Sequence, residues 1–175
     1  MRKGFFFAIV SLMKLEPVFK VHNNKVFFIA DQKEVDFTVF KMISISWAQV
    51  EIDDEVYNEE FLAKLRDDLK LMESKNEFAI LVPQVDKTFE SSVQKEAFIN
   101  TMNHTARRVK DCVSVAGFAL PSQLLAAGLG EGSDVQNFID VISKKHAQYI
   151  YFASKSDVTA FNLTEKASES DIVLY

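Results

Sequence analysis

Phe78-Ala-Ile-Leu-Val82 is apolar at every position and closes on Pro83-Gln-Val-Asp86. A short, unbroken apolar run bounded in this way reads as a strand buried on both faces, the kind that fills parallel sheets. Its flanks are helical. Upstream, Asn58 can cap a helix running to about Ser74, with Glu59 and Glu60 in the first turn and Phe61, Leu65, Leu69 and Met72 as its buried stripe. Downstream, a second helix spans about Val93 to Lys110, with Phe98, Met102, Thr105 and Val109 on one face.

The same alternation extends outward. Val39 to Trp47 is a strand whose core, Ile43-Ser-Ile-Ser-Trp47, alternates apolar with small polar residues. Val113 to Leu120 is the next strand. Ser133 opens a third helix with Gln136 as capping-box partner, and Val135, Phe138, Ile139 and Ile142 face inward. Gln148 to Ala153 is a strand, and Asp171 to Tyr175 is a short last one. From Val39 onward the order is β-α-β-α-β-α-β, which predicts an α/β fold with a mostly parallel sheet, helical cover and right-handed crossovers. Ahead of it, Val18-Phe-Lys-Val-His22 and Lys25-Val-Phe-Phe-Ile29 flank Asn23-Asn24, a β-hairpin signature. The expected organisation is one domain over 1–175, with an N-terminal β region at 1–38 and β/α units at 39–175.

Composition sets outer bounds. The chain has 175 residues, a formal net charge of −5 and 48% hydrophobic residues, a globular balance. That charge argues against a broad nucleic-acid surface. The single cysteine, Cys112, excludes an internal disulfide framework and a Cys-rich zinc site. Sixteen Phe stand against 5 Gly and 3 Pro, so the elements are regular and the apolar area is large. Met1 to Met13 carries two cations and a short apolar run, too short to span a bilayer and without a small-residue cleavage site. It reads as a buried first strand in a cytoplasmic protein, or as an atypical signal in an exported one. A membrane-embedded chain is not expected.

Ligands approach parallel sheets at the carboxyl ends of the strands. Those ends offer Trp47, Gln49 and Glu51, then Gln84 and Asp86, then Ser122 and Gln123, then Ser154 and Asp157. Trp47, Gln49, Glu51, Gln84, Asp86 and Gln123 are therefore the candidate ligand-binding residues. Glu51 and Asp86 are the carboxylates placed for acid–base work, against the plainer reading of solvated loop acids. His22 sits in the hairpin, His104 at the edge of a buried helix face, and His146 at a helix end where an imidazolium suits the dipole. No histidine pair has metal-ligand spacing, and neither a metal nor a cofactor is expected. Cys112 reads as a small buried residue. Gly128-Leu-Gly-Glu-Gly132 precedes a helix but lacks the lysine and spacing of a phosphate loop, and Glu131 would repel an anion. Arg107, Arg108 and Lys110 read as a solvated helix face.

The run from about Val39 to Leu124 resembles the early β/α units of cellulase-like glycoside hydrolases with a (β/α)₈ barrel. Ile43-Ser-Ile-Ser-Trp47 is similar to that family's second strand, and Tyr57 to Leu62 to the helix start after its acidic loop. Ala79-Ile-Leu-Val-Pro-Gln84 is similar to the third strand, and Val115-Ala-Gly-Phe-Ala-Leu120 to the fourth, which leads into an Asn-Glu-Pro. Here that place holds Ser122-Gln123-Leu124, and glutamine carries no acid proton. Met42 stands where an arginine would be expected and Gln84 where a histidine would end the strand. A complete barrel takes about 250 residues. The resemblance thus implies a partial, half-barrel fold and a non-catalytic binding or assembly protein with a residual carbohydrate pocket. Its open edges would favour a homo-oligomer or a place in a larger complex, with Phe5–Phe7, Phe27, Phe28, Phe37 and Phe40 covering what the half-barrel exposes. Two alternatives stand beside it: a closed doubly wound sheet of six or seven strands, and an active hydrolase using Glu51 or Asp86.

Overall fold

Consecutive strands lie side by side in this chain, and that order carries most of its architecture. The computed structural model describes residues 15–175. The Met1–Met13 run, and Phe5–Phe7 with it, fall outside them. The hairpin comes first, with β1 (Phe19–His22) antiparallel to β2 (Lys25–Phe28) and His22 opposite Lys25. Asn23 and Asn24 hold φ of 49° and 58°, the left-handed pair that a two-residue turn demands and asparagine tolerates.

After a 3₁₀ turn come β3 (Phe40–Ser46), the one-turn helix α1 (Trp47–Val50), and a small hairpin of β4 (Glu51–Asp53) and β5 (Val56–Tyr57). Then α2 (Glu59–Ser74), β6 (Phe78–Gln84), α3 (Ser92–Arg108) and β7 (Val115–Ala119) follow. The chain continues through α4 (Ser122–Leu125), α5 (Asp134–Ser143), β8 (Ile150–Ala153), α6 (Lys155–Ala160), α7 (Thr164–Ser168) and β9 (Val173–Leu174). The expected strands and helices are present within a few residues of their bounds. The β4–β5 hairpin replaces what sequence suggested was a plain acidic loop.

The main sheet has five strands in the order β3-β6-β7-β8-β9, every neighbouring pair parallel. A doubly wound sheet reverses its order at a switch point and carries helices on both faces. Here the order never reverses. The α2, α3 and α5 side chains Leu62, Leu69, Phe98, Met102, Phe138 and Ile142 pack with Ile45, Leu81 and Phe118 on one face of the sheet. The opposite face carries Phe40, Ile80, Ala119, Phe152 and Val173, and the N-terminal hairpin covers it through Phe19 and Val26, joined by Val35 from the segment that follows. Helices outside, strands in sequential order: this is a partial TIM barrel, and the doubly wound alternative is overturned.

Phenylalanine builds the inner layer. Phe19 meets Phe28, Phe40 and Phe78 at ring distances of 5.2, 5.4 and 4.9 Å, and Phe40 meets Phe152 at 5.7 Å. Such pairs add about 0.5–1.5 kcal/mol each beyond the area they bury. Asn24 fastens the hairpin's turn to the far end of the chain, its amide donating to the carbonyls of Ala167, Ser170 and Ile172.

Capping follows the expected chemistry with one exchange. Asn58 accepts from the Phe61 N–H at 3.0 Å. Ser133 accepts from the Gln136 N–H at 3.1 Å, but the Gln136 amide donates to Asp140 and the Ser133 N–H donates to the Gly130 carbonyl, so the expected box is one-sided. The reciprocal capping box belongs to Ser91 and Gln94 at the head of α3. Among the described residues no helix is long and apolar enough to cross a membrane.

Candidate functional site

The carboxyl ends of β6 and β7 and the segments leading into α4 and α6 enclose a cleft of about 290 Å³. Parallel register sets its floor, because Ser46 of β3 stands level with Gln84 of β6. Gln84, Asp86, Ser122, Gln123, Asp157 and Tyr175 provide its polar lining. Three of the sequence-derived candidates, Gln84, Asp86 and Gln123, are thus brought together. The other three are not.

Trp47 is 2% exposed and lies under the strand ends, with its ring edge-on to Phe89 and Phe98 at 6.4 and 5.4 Å. Its indole Nε1 donates to Glu51 Oε2 at 2.6 Å. Glu51 is equally buried, and its other partner is Lys87, whose ammonium donates to Glu51 Oε2 at 2.9 Å and to the Glu51 carbonyl at 2.7 Å. The same ammonium lies 5.1 Å from the Trp47 ring centre. These three side chains form a closed set that ties the turn after β3 to the loop after β6. Buried in this way, Trp47 presents no aromatic face to the cleft. Gln49 is exposed and lies outside the cleft lining.

The two acids in the cleft are also engaged. Asp86 accepts from the Ser46 hydroxyl at 2.5 Å and from the Ala48 N–H at 2.8 Å, while Ser46 itself caps α1 by accepting from the Gln49 N–H. Asp157 accepts from the Ser122 hydroxyl at 2.7 Å. The amides of Gln84 and Gln123 remain exposed, and no basic side chain lines the cleft. Burial and the nearby Asp157 charge both push the Tyr175 phenol above its ordinary value, so it is a neutral hydroxyl here. The cleft therefore offers amide, hydroxyl and carboxylate groups suited to a neutral polyhydroxy ligand.

Ser46, Lys87 and Tyr175 belong to this region without having been singled out in the sequence. Ser46 carried a signal, as a polar residue at the last pleat of β3 just before a helical turn. Lys87 and Tyr175 carried none, because their contacts span 36 and many more residues of chain.

The histidines and the cysteine divide. His22 is exposed. His104 stacks on Tyr57 at 4.0 Å and bonds to Glu59. His146 was expected as an imidazolium at a helix end; instead it is 4% exposed, and burial with Lys110, Lys145 and Arg107 nearby pushes it below its ordinary value, so the ring is neutral. Cys112 is buried and its thiol is pushed up to about 11, the inert state. Among the described residues no group of three or more His, Cys, Asp or Glu is arranged to hold a metal ion.

No family model and no curated protein matches the chain. Solved structures do. Endo-glycoceramidase II from Rhodococcus sp., bound to a cellobiose-like imidazole, superposes with a TM-score of 0.52 at 13% identity over 66% of this chain and 40% of that one. The lactosyl-enzyme intermediate of the same protein gives 0.52, 13%, 66% and 41%. Pseudomonas stutzeri endoglucanase Cel5A in complex with cellobiose gives 0.50 at 20% identity, over 64% of this chain and 37% of that one. The chain spans about 40% of the length of these structures. At such identities the likeness is one of fold, and it agrees with the partial barrel drawn from strand order.

Proposed function

We propose that this chain is a non-catalytic carbohydrate-binding protein built on part of a glycosidase-like barrel, with its ligand in the strand-end cleft. The observation that carries this reading is the state of the acids. Asp86, Asp157 and Glu51 each already hold structural hydrogen bonds, and the position beyond β7 is Gln123, which relays no proton. A two-carboxylate mechanism needs one protonated acid and one free base or nucleophile facing the same bond. Gln84 and Gln123 instead suit binding, since each amide both donates to and accepts from sugar hydroxyls. The neighbours in fold that carry cellobiose or a cellobiose-like ligand support the choice of sugar.

Calorimetry with cellobiose and longer β-linked glucosides tests it, alongside a hydrolysis assay on the same sugars. Saturable binding that weakens roughly tenfold in Gln84→Ala and Gln123→Ala, without hydrolysis, is the expected result. Hydrolysis by the wild type, lost in Asp86→Ala or Glu51→Ala, would establish the hydrolase alternative. No saturable binding removes the sugar reading.

An assembly role has its own support. Among the described residues β3 pairs only with β6, and Val39 and Met42 beside that open edge are 41% and 42% exposed. Light scattering decides it, and a strict monomer at high concentration removes it.

A further inference from the structure

The main sheet ends on two edges, and they are unlike. β9 presents two strand residues, Val173 and Leu174, on the side away from β8. β3 presents seven, and among the described residues its one partner is β6, in unbroken parallel register from Phe40 opposite Phe78 to Ser46 opposite Gln84. An edge of that length holds a row of backbone N–H and C=O groups that no described strand receives. Native edges of this kind are blunted by proline, by a bulge or by free charges. β3 has no proline and no register shift, and its single charged residue, Lys41, is already paired with Glu77 at 2.8 Å.

Alternation sorts the side chains along this edge. Ile43 and Ile45 pack on the helix side and Phe40 on the side of the N-terminal hairpin, so Met42 and Ser44 share the face of Phe40. The hairpin leaves those two uncovered: Met42 is 42% exposed, and Ser44 is exposed as well. The strand is also its own complement. Turned end for end about Ile43, it sets Met42 opposite Ser44, Lys41 opposite Ile45 and Phe40 opposite Ser46, so all seven residues pair. A large side chain then meets a small one at each position on the hairpin side. The two lysines stand four positions apart, about 13 Å along the strands, beyond the ~8 Å over which exposed charges interact in physiological salt. A centre at Met42 would bring them within two positions and leave part of the strand unpaired.

We propose that a second copy of this chain occupies the open edge, β3 lying antiparallel to β3 about a two-fold axis through Ile43. The pairing rests on the assembly role above and gives it a partner. An antiparallel pair needs no crossover connection, and a two-fold contact closes after two copies. The two five-stranded sheets then run on as one, with both N-terminal hairpins on the same face. A head-to-tail contact of β3 with β9 would have only the two strand residues of β9 to hold it.

Sedimentation equilibrium and light scattering on the full chain test the proposal, with two paired substitutions at the exposed positions. The wild type should have twice the mass of one chain. Met42→Lys/Ser44→Lys sets like charges opposite each other on both sides of the axis and should raise the dimer dissociation constant at least about tenfold. It does so while lowering the net negative charge, which by itself would ease association. Met42→Lys/Ser44→Glu faces each new lysine with a carboxylate of the other copy and should dimerise as well as the wild type, or better. In a register centred on Met42 or on Ser44, both variants would set like charges opposite each other. A monomeric full chain overturns the pairing and the assembly role together, including where residues 1–14 hold the edge. A dimer with any other response to the two variants leaves the assembly role standing and overturns this pairing.

Discussion

The Trp47 indole and the Glu51 carboxylate meet at 2.6 Å with both side chains sealed from solvent, and Lys87 closes the set from the loop after β6. A charged hydrogen bond of this kind is worth about 1.5–3 kcal/mol, and removing one partner also strands the other. Glu51→Ala should therefore lower stability by about 2–4 kcal/mol in urea denaturation. Glu51→Gln keeps an acceptor for the indole and should lose less. Wild-type stability in Glu51→Ala would show that the set contributes nothing to the fold.

Gly117 has no room for a side chain. A Cβ there would lie 1.7 Å from the Ile150 carbonyl oxygen and 2.6 Å from the Ile150 backbone nitrogen, and Ile150 is its register partner across the β7–β8 ladder. The obstacle is backbone, so no rotamer change relieves it. Gly117→Ala should part the two central strands and cost at least the ~1–3 kcal/mol typical of core overpacking. Faster amide exchange in β8 than in β3 would locate the damage. An unchanged melting temperature would contradict the packing described.

Strands and helices were readable because each leaves a local period in the chain. Ile43-Ser-Ile-Ser-Trp47 even carries the burial of Trp47, since an alternation that buries Ile45 against the helices buries its second neighbour as well. Its choice as a candidate ligand-binding residue gave more weight to the residue type than to the phase. Sheet order left no such trace. Sequential and doubly wound sheets share the same β-α-β pattern, and only the side on which each crossover lands tells them apart. The strand-end cleft was half legible: Gln84, Asp86 and Gln123 follow apolar runs. The Asp86–Ser46 and Lys87–Glu51 contacts join residues 40 and 36 positions apart, and nothing local encodes them.

Asn24 carries two burdens. It holds a φ of 58° in the hairpin turn, and its amide nitrogen reaches the carbonyls of Ala167, Ser170 and Ile172 at 2.8, 2.9 and 2.7 Å. Asn24→Gly keeps the turn and removes the clamp, whereas Asn24→Ala removes both. Glycine should cost about 1–3 kcal/mol through the lost contacts, and alanine a further ~1 kcal/mol through strain. Amide exchange at Val173 and Leu174 should accelerate in both variants. Equal stability of Asn24→Gly and wild type would show that the hairpin needs no such fastening to the inner face.

Alkaline pH should destabilise the fold, and Cys112 sets where the loss begins. Its thiol titrates near 9.0 when exposed and is pushed up to about 11 chiefly by burial. The unfolded chain then gives up its proton first, so the stabilisation is fully present below pH 9.0 and is lost as the pH rises toward about 11. A difference of that size between the folded and unfolded thiol corresponds to about 2–3 kcal/mol. Tyr149 and Tyr151, raised from 10.0 mainly by burial, act in the same direction and extend the loss to higher pH. Urea denaturation from about pH 8 to 10.5 should therefore show falling stability. In Cys112→Ala the tyrosine component persists and the earliest part of the fall disappears, so the two proteins converge in stability as the pH rises. Parallel curves for wild type and Cys112→Ala would assign the whole effect elsewhere. Below pH 9.0 the same buried thiol should resist iodoacetamide until the chain unfolds, because the thiolate that reacts is scarce and sealed among core side chains.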